Sequence, residues 1–199
     1  MFRTFKSAIK GFGKNVSGGD RTQQDLPISV VLIGSLVIAA GMWLIPEIPV
    51  SLLGALLIVV FGFFFATVSS RMVGIVGSSN NPVSGMAIAT LILTSFVLKA
   101  TGSTGSAGMI AAISIGTVIC IIAAMAGDTS QDLKTGYIVG ATPVKQQIGE
   151  LLGAVVAALT IGGVLYILSK AWGGFGSAQL PAPQASLMKM VVEGVMGGT

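Results

Sequence analysis

Histidine is absent from this 199-residue sequence, and cysteine occurs only once. Without histidine the chain lacks the commonest general base and metal ligand of proteins, which excludes Ser-His, Cys-His and His-Glu zinc chemistry within it. The single cysteine, Cys120, lies in an apolar run and has no second cysteine for an intrachain disulfide or a metal cluster. We therefore expect no enzymatic activity, no cofactor and no metal site.

Charged residues are also scarce. They make up 9% of the sequence, against about 25% in a soluble domain, whereas apolar residues make up 53%. This composition predicts an integral membrane protein in contact with a lipid bilayer. The charges are concentrated in residues 1–25, where basic side chains prevail, as is typical of a cytoplasmic flank near anionic lipid. No basic and aromatic motif accompanies them, so we expect no nucleic-acid partner.

Five apolar segments predict membrane-spanning or re-entrant helices, and hence a polytopic protein of the all-α class. They comprise residues 27–45, 50–69, 83–98, 109–126 and 148–168. The third segment is marginal in length for a full span, so crossing and re-entry both stay open for it. Before these segments, the apolar spacing of residues 2–14 predicts a short interfacial helix.

The chain divides into a basic amphipathic head and linker at 1–25, a transmembrane region at 26–170 and an extracytoplasmic tail at 171–199. If the spans alternate in direction, eight basic residues fall on the side of the N-terminus and three on the other. The positive-inside rule then predicts a cytoplasmic N-terminus. Because the number of spans is odd, we expect further spans beyond the tail.

A polar, glycine-containing stretch at 77–86 interrupts the apolar segments. Irregular backbone is costly in lipid unless it is buried in protein or lines a wet cavity, so this stretch is a candidate for a translocation pathway. Asn80 and Asn81 offer amide donors and acceptors, and Pro82 is well placed to begin a helix. The alternative is an ordinary polar loop at the membrane surface. The Asn-Pro-Val sequence also resembles the Asn-Pro-Ala of water channels, but those need two copies.

A second polar stretch, at 127–136, follows the fourth apolar segment. Its charged and amide side chains are Asp128, Gln131, Asp132 and Lys134. Carboxylates at this place can accept protons, bind a cation or pair with the lysine. The alternative is a solvated cytoplasmic loop with an Asp helix cap. An aspartyl protease needs two converging carboxylates, whereas both candidates here lie in one stretch, so we expect no protease.

Glu150 lies just inside the last apolar segment. An acidic residue there belongs either to a polar pathway or to the solvated interface, with Lys145, Gln146 or Gln147 as its partner. Gly149 and Gly153, four residues apart, allow close packing of another helix.

Four motifs, in this order, resemble the oligopeptide transporter superfamily, which includes peptide carriers and the metal-chelate carriers related to yellow stripe proteins. They read SSNNPVSGM at 78–86, AGDTSQDLKTG at 126–136, GATPVKQQ at 140–147 and LPAPQA at 180–185. The similarity covers the chain from about Arg21 to its end and is strongest to the bacterial members.

The resemblance implies a helical secondary transporter of the bacterial inner membrane. Such a carrier uses an ion gradient, usually of protons, to import small peptides or peptide-like metal chelates. Family members are several times longer, so the chain resembles an interior fragment, whose partners would be the remaining part of the transporter or further copies of itself. The alternative is a non-transporting membrane scaffold or interaction protein made from a truncated transporter gene.

The resemblance also implies two groups of site residues. The first motif supplies substrate or translocation-pathway residues, namely Ser79, Asn80, Asn81, Pro82 and Gly85. The second motif supplies candidates for proton coupling or gating, namely Asp128, Gln131, Asp132 and Lys134. Glu150 joins these candidates because of its own position in the last apolar segment.

Overall fold

The computed structural model describes residues 20–46, 48 and 50–197. Regular structure in this part of the chain is helical, without a strand, which confirms the predicted all-α class. Short 3-10 turns lie at Arg21–Gln23 and Ser78–Asn80. The α-helices are α1 (Ile28–Leu44), α2 (Leu52–Val76), α3 (Val83–Ala100), α4 (Gly105–Val139), α5 (Pro143–Ala171) and α6 (Pro183–Gly197). The predicted interfacial helix at 2–14 lies outside the described residues.

Helices α1 to α5 correspond to the five predicted segments, and each is long and apolar enough to cross a membrane, α1 and α3 together with the turns before them. The largest differences from the predicted bounds are at the ends of two helices. Helix α2 continues past Arg71, and α4 continues through the whole second polar stretch. With 35 residues, α4 is about 52 Å long, well beyond the roughly 30 Å of hydrocarbon.

Helix α4 lies at the centre of the bundle, where it packs against both α2 and α3. Glycines bring these helices close together. A Cβ atom at Gly116 of α4 would lie 2.5 Å from Leu91 Cδ2 of α3, and one at Gly62 of α2 would lie 3.0 Å from Ile122 Cδ1 of α4. Helices in membranes associate through such close packing at small residues.

The segment before α1 is hydrogen-bonded to the first turns of α5. The backbone N–H of Val144 donates to the carbonyl of Gln24 at 2.8 Å. The backbone N–H of Leu26 donates to Gln147 Oε1 at 2.9 Å. Helices α1 and α5 therefore begin at the same end of the bundle, as alternating spans require.

Helix α5 leaves the bundle soon after it begins. Pro143 is its one buried residue, and every residue from 151 to 171 is half-buried or exposed. A Cβ atom at Gly149 or Gly153 would meet nothing within 4 Å. The close packing expected at these glycines is therefore not made within the described part of the chain.

The tail contains a helix that the sequence analysis did not predict. Val192 and Met196 of α6 are buried against the bundle, and α6 packs against α3 and α4. Lys99 Nζ, at the end of α3, donates to the carbonyl oxygen of Val195 at 2.8 Å. This carbonyl belongs to the last turn of α6, where helix carbonyls lack partners within the helix and favour a cation.

Candidate functional site

The first polar motif forms a tight turn between α2 and α3. Gly77 ends α2 with φ +80°, a left-handed conformation that favours glycine. The 3-10 turn Ser78–Asn80 follows, and α3 begins directly after Pro82. The predicted break in the helical backbone and the predicted helix start near Pro82 are both confirmed.

The side chain of Asn81 attaches this turn to two helices. Its Nδ2 donates to Ser69 Oγ of α2 at 2.7 Å and makes a longer bond, 3.4 Å, to the carbonyl oxygen of Ala123 in α4. Ser69 Oγ donates in turn to the Ala123 carbonyl. Ser69 is fully buried, and Asn81 is half-buried. A polar network therefore crosses the apolar contact between α2 and α4.

Gly127 leaves the room that this network needs. A Cβ atom there would lie 2.7 Å from Asn81 Nδ2, 2.8 Å from Val73 Cγ2 and 3.1 Å from Ser69 Oγ. Such separations are shorter than van der Waals contact, so any larger residue would displace the amide of Asn81.

The second polar stretch is helical over its whole length, so its interpretation as a loop with an Asp helix cap is wrong. Its position on α4 brings it beside the first motif. Ser78 Oγ donates to Asp128 Oδ1 at 2.5 Å. Ser70 Oγ of α2 donates to the Ala126 carbonyl at 3.2 Å, close to the same point. The two motifs, 50 residues apart in sequence, therefore form one polar site.

The other predicted site residues of the first motif lie on the surface of the described chain. Ser79, Asn80, Pro82 and Gly85 are exposed. Asn80 Nδ2 donates to the carbonyl of Val76 at 3.2 Å, which satisfies an orphan carbonyl at the end of α2. Ser79, Asn80 and Pro82 share the turn with Asn81, and Gly85 lies in the first turn of α3.

The charged and amide side chains of the second motif are also exposed. Gln131, Asp132 and Lys134 extend along α4 beyond the Asn81 network. Lys134 does not pair with the carboxylates but lies over the ring of Tyr137, with Nζ 5.4 Å from its centroid. Among the described residues, no group of three or more acidic or cysteine side chains is placed to hold a metal ion.

Glu150 belongs to a separate polar contact, between α4 and α5. Thr129 Oγ1 donates to Glu150 Oε2 at 2.7 Å, so the partner is a residue of the second motif and not Lys145, Gln146 or Gln147 as expected. Glu150 Oε1 is buried without a partner among the described residues. One turn earlier, Gln146 Nε2 donates to the carbonyl of Asp132 at 3.2 Å.

The residues of this region that were absent from the predicted site include Ser69, Ser78, Gly127 and Thr129. Gly127 and Thr129 lie within the second motif, where the sequence analysis singled out the charged and amide side chains. Ser69 ends an apolar segment and carries no local signal, because its role depends on Ala123, 54 residues further along the chain.

A known protein family matches this chain over its whole length. Residues 1–199 match the protein family described as OPT oligopeptide transporter protein. A Haemophilus influenzae protein named "Putative oligopeptide transporter" is 38% identical over 157 residues, which are 70% of this chain and 25% of that protein. The Arabidopsis thaliana protein named "Probable metal-nicotianamine transporter YSL5" is 29% identical over 109 residues, 52% of this chain and 15% of that protein.

The chain thus aligns with about a quarter or less of the length of these relatives. No solved structure matches it. The family match over all 199 residues agrees with the helical architecture and the five apolar helices described above. This chain is an integral membrane protein and belongs to the OPT oligopeptide transporter family.

Proposed function

We propose that this chain forms part of a secondary active, proton-coupled transporter of oligopeptides or peptide-like metal chelates. The observation that carries the proposal is the attachment of the Asn-Pro turn to the acidic motif of α4 through Ser78 and Asp128. A non-helical turn between spanning helices, hydrogen-bonded to a carboxylate, is consistent with a substrate pathway coupled to ions. The names of the relatives supply the substrate classes.

In this proposal, the turn residues Ser79, Asn80, Asn81, Pro82 and Gly85 contribute to the pathway. Their exposed polar groups and the free N–H groups at the start of α3 recognise the backbone-like groups of a peptide or chelate. The helical segment with Asp128, Gln131, Asp132 and Lys134 couples protons or gates the inner face. Protonation of Asp128 would weaken the charge-assisted bond from Ser78 and so act directly on the turn.

Glu150 has a gating role in this proposal. Its bond from Thr129 is formed at the point where α5 leaves α4, and its second carboxyl oxygen has no partner among the described residues. A change in the charge of Glu150 would therefore act on the angle between these two helices.

The proposed location is the bacterial inner membrane, with the head at 1–25 in the cytoplasm and the tail at 171–199 on the other side. The common starting end of α1 and α5 supports alternating spans. The partners are the remaining part of a transporter or further copies of this chain. Helix α5 favours such partners, since its residues from 151 onward have no buried position in the described chain.

Uptake into proteoliposomes tests the proposal. The chain is reconstituted alone and together with the remaining part of a full-length carrier, and uptake of a labelled tripeptide and of iron-nicotianamine is measured with and without a pH gradient. We expect gradient-dependent uptake of one of these probes by the assembled carrier, reduced by Asn81→Ala and by Asp128→Asn. Unaltered transport in both variants would contradict the proposed sites, and a chain that binds membrane partners without any uptake would favour the scaffold alternative.

A further inference from the structure

The hydrogen bonds around Asn81 fix the orientation of its side-chain amide. The carbonyl oxygen of Ala123 can only accept, so the hydroxyl of Ser69 must use its single proton to donate to it. Ser69 Oγ is then left with lone pairs and can only accept from Asn81. The atom of Asn81 that faces Ser69 must therefore be the nitrogen Nδ2, at 2.7 Å.

The carbonyl oxygen of Asn81 consequently points away from Ser69. Asn81 Oδ1 is buried and has no hydrogen-bond partner among the described residues. Rotation of the amide by 180° would place Oδ1 against Ser69 and Ala123, where acceptors would face each other. An unpaired buried acceptor that cannot turn away marks a place where a hydrogen-bond donor is missing.

Ser69 fixes the orientation of the Asn81 amide by a hydrogen bond, and Gly127 fixes its position by leaving space for it. A Cβ atom at this position would lie 2.7 Å from Asn81 Nδ2 and would push the amide away from Ser69. Both residues contact the nitrogen side of the amide and leave the oxygen side free of protein donors within the described chain.

We propose that Ser69 and Gly127 are positioning residues that make Asn81 present a hydrogen-bond acceptor to the transported molecule. The ligand class at this point is then a group with an N–H donor, such as the peptide N–H or ammonium of a peptide-like substrate. This inference rests on the proposed transport function. Oδ1 is buried here, so the donor reaches it when neighbouring side chains move.

The amide orientation can be tested without transport. The sequence contains three asparagines, Asn15, Asn80 and Asn81, so selective ¹⁵N-asparagine labelling of the full chain in nanodiscs gives three side-chain amide signals. The signal lost in Asn81→Ala identifies the residue. We expect its protons to exchange slowly with solvent, and Ser69→Ala to accelerate this exchange about five- to tenfold through loss of one hydrogen bond.

Two matched variants control this measurement. Thr67 donates only to the carbonyl of Phe63 in its own helix, so Thr67→Ala should leave the Asn81 signal unchanged. Gly127→Ala should shift the signal and accelerate exchange, whereas Gly74→Ala, where an added Cβ meets nothing within 4 Å, should not. Exchange at Asn81 that is insensitive to both Ser69→Ala and Gly127→Ala would overturn the positioning roles.

Transport kinetics of the assembled carrier test the second half of the inference, with the labelled tripeptide as probe. If Ser69 acts through Asn81, Ser69→Ala raises KM more than it lowers the maximal rate, and Ser69→Ala has no further effect in the Asn81→Ala background. Additive effects of the two variants on KM would refute positioning while leaving the proposed function intact. If the exchange data are as expected but KM is unchanged in Asn81→Ala, the pathway role of Asn81 is refuted. The inferred orientation of its amide would still hold.

Discussion

Close helix packing gives a graded prediction for three glycine-to-alanine substitutions, at Gly116 in the α3–α4 contact, at Gly62 in the α2–α4 contact and at Gly74 on an open face of α2. At Gly116 the added Cβ would lie 2.5 Å from Cδ2 and 2.8 Å from Cγ of Leu91, a side chain that is 1% exposed. Because Cγ is a branch point and not a flexible tip, the helices themselves must move apart. At Gly62 the obstacle is the terminal Cδ1 of Ile122 at 3.0 Å, and at Gly74 there is none within 4 Å.

Two opposing terms set the magnitudes. Overpacking of a well-packed core costs about 1–3 kcal/mol. Replacement of a glycine by alanine inside a helix stabilises it by about 0.8–1.0 kcal/mol. Gly74→Ala should therefore be neutral to stabilising, and Gly62→Ala close to neutral because Ile122 can rotate. The gain from replacing glycine by alanine in a helix is common to Gly116→Ala and Gly74→Ala. Gly116→Ala should therefore be less stable than Gly74→Ala by the overpacking cost alone, about 1–3 kcal/mol.

The assay is unfolding of the full chain in mixed detergent micelles, followed by circular dichroism because the described chain is helical. The free energy of unfolding of Gly116→Ala is compared with that of Gly74→Ala under identical conditions. Equal stabilities for the two variants would refute the close approach of α3 and α4 at Leu91. Equal loss of stability in all three variants would show that glycine itself, and not the contact, matters.

Two further contacts are open to the same kind of test. Thr129→Val removes the hydrogen-bond donor to Glu150 and should destabilise the α4–α5 contact by about 1–3 kcal/mol, since a buried carboxyl oxygen is left unpaired. Thr135→Val is the control, because it loses only a bond within its own helix and should not destabilise this contact. Lys99→Met removes the bond to the Val195 carbonyl and should release α6, measured as faster proteolysis between α5 and α6; an unchanged cleavage rate would contradict a fixing role for Lys99.

The spans were predictable because hydrocarbon sets a length that runs of apolar residues must meet. Each of the five predicted segments corresponds to one helix of the structure, and the third begins at Val83 as predicted. The start of α3 was marked by local chemistry, since Pro82 fits the beginning of a helix and Gly77 fits a left-handed backbone at the end of the preceding one. Span lengths, which the bilayer determines, and helix ends, which local residues determine, can therefore be predicted from the sequence.

Of the two interpretations of the second polar stretch, the solvated loop was wrong. Gly127 and Gly136, which bound this stretch, are both inside α4. Gly127 makes room for Asn81, and Gly136 makes room for the side chain of Gln146. Glycine in a membrane helix often marks the close approach of another chain segment. A glycine that allows close packing can be distinguished from a glycine in a turn only when the residues around it in space are known, and the sequence does not give their positions.

Helix α6 was missed for a related reason. Its apolar residues Met188, Val192 and Met196 recur every four residues, but the segment is short and its surroundings contain several glycines and prolines. Most helical stability in proteins comes from packing of an apolar face, and the contact that α6 needs is with α3 and α4, far away in sequence.

The turn between α2 and α3 is attached to α4 at two points, and this has a consequence for coupling. The Asn81 network reaches α4 at Ala123, and Ser78 reaches it at Asp128. These points are five residues apart, about 7.5 Å along the helix axis. Two attachments prevent the turn from rotating on α4, whereas one attachment leaves it free to pivot. Under the proposed function, protonation of Asp128 would weaken the second attachment and leave the first as the pivot. The turn between α2 and α3 would then link the charge of Asp128 to the position of Asn81.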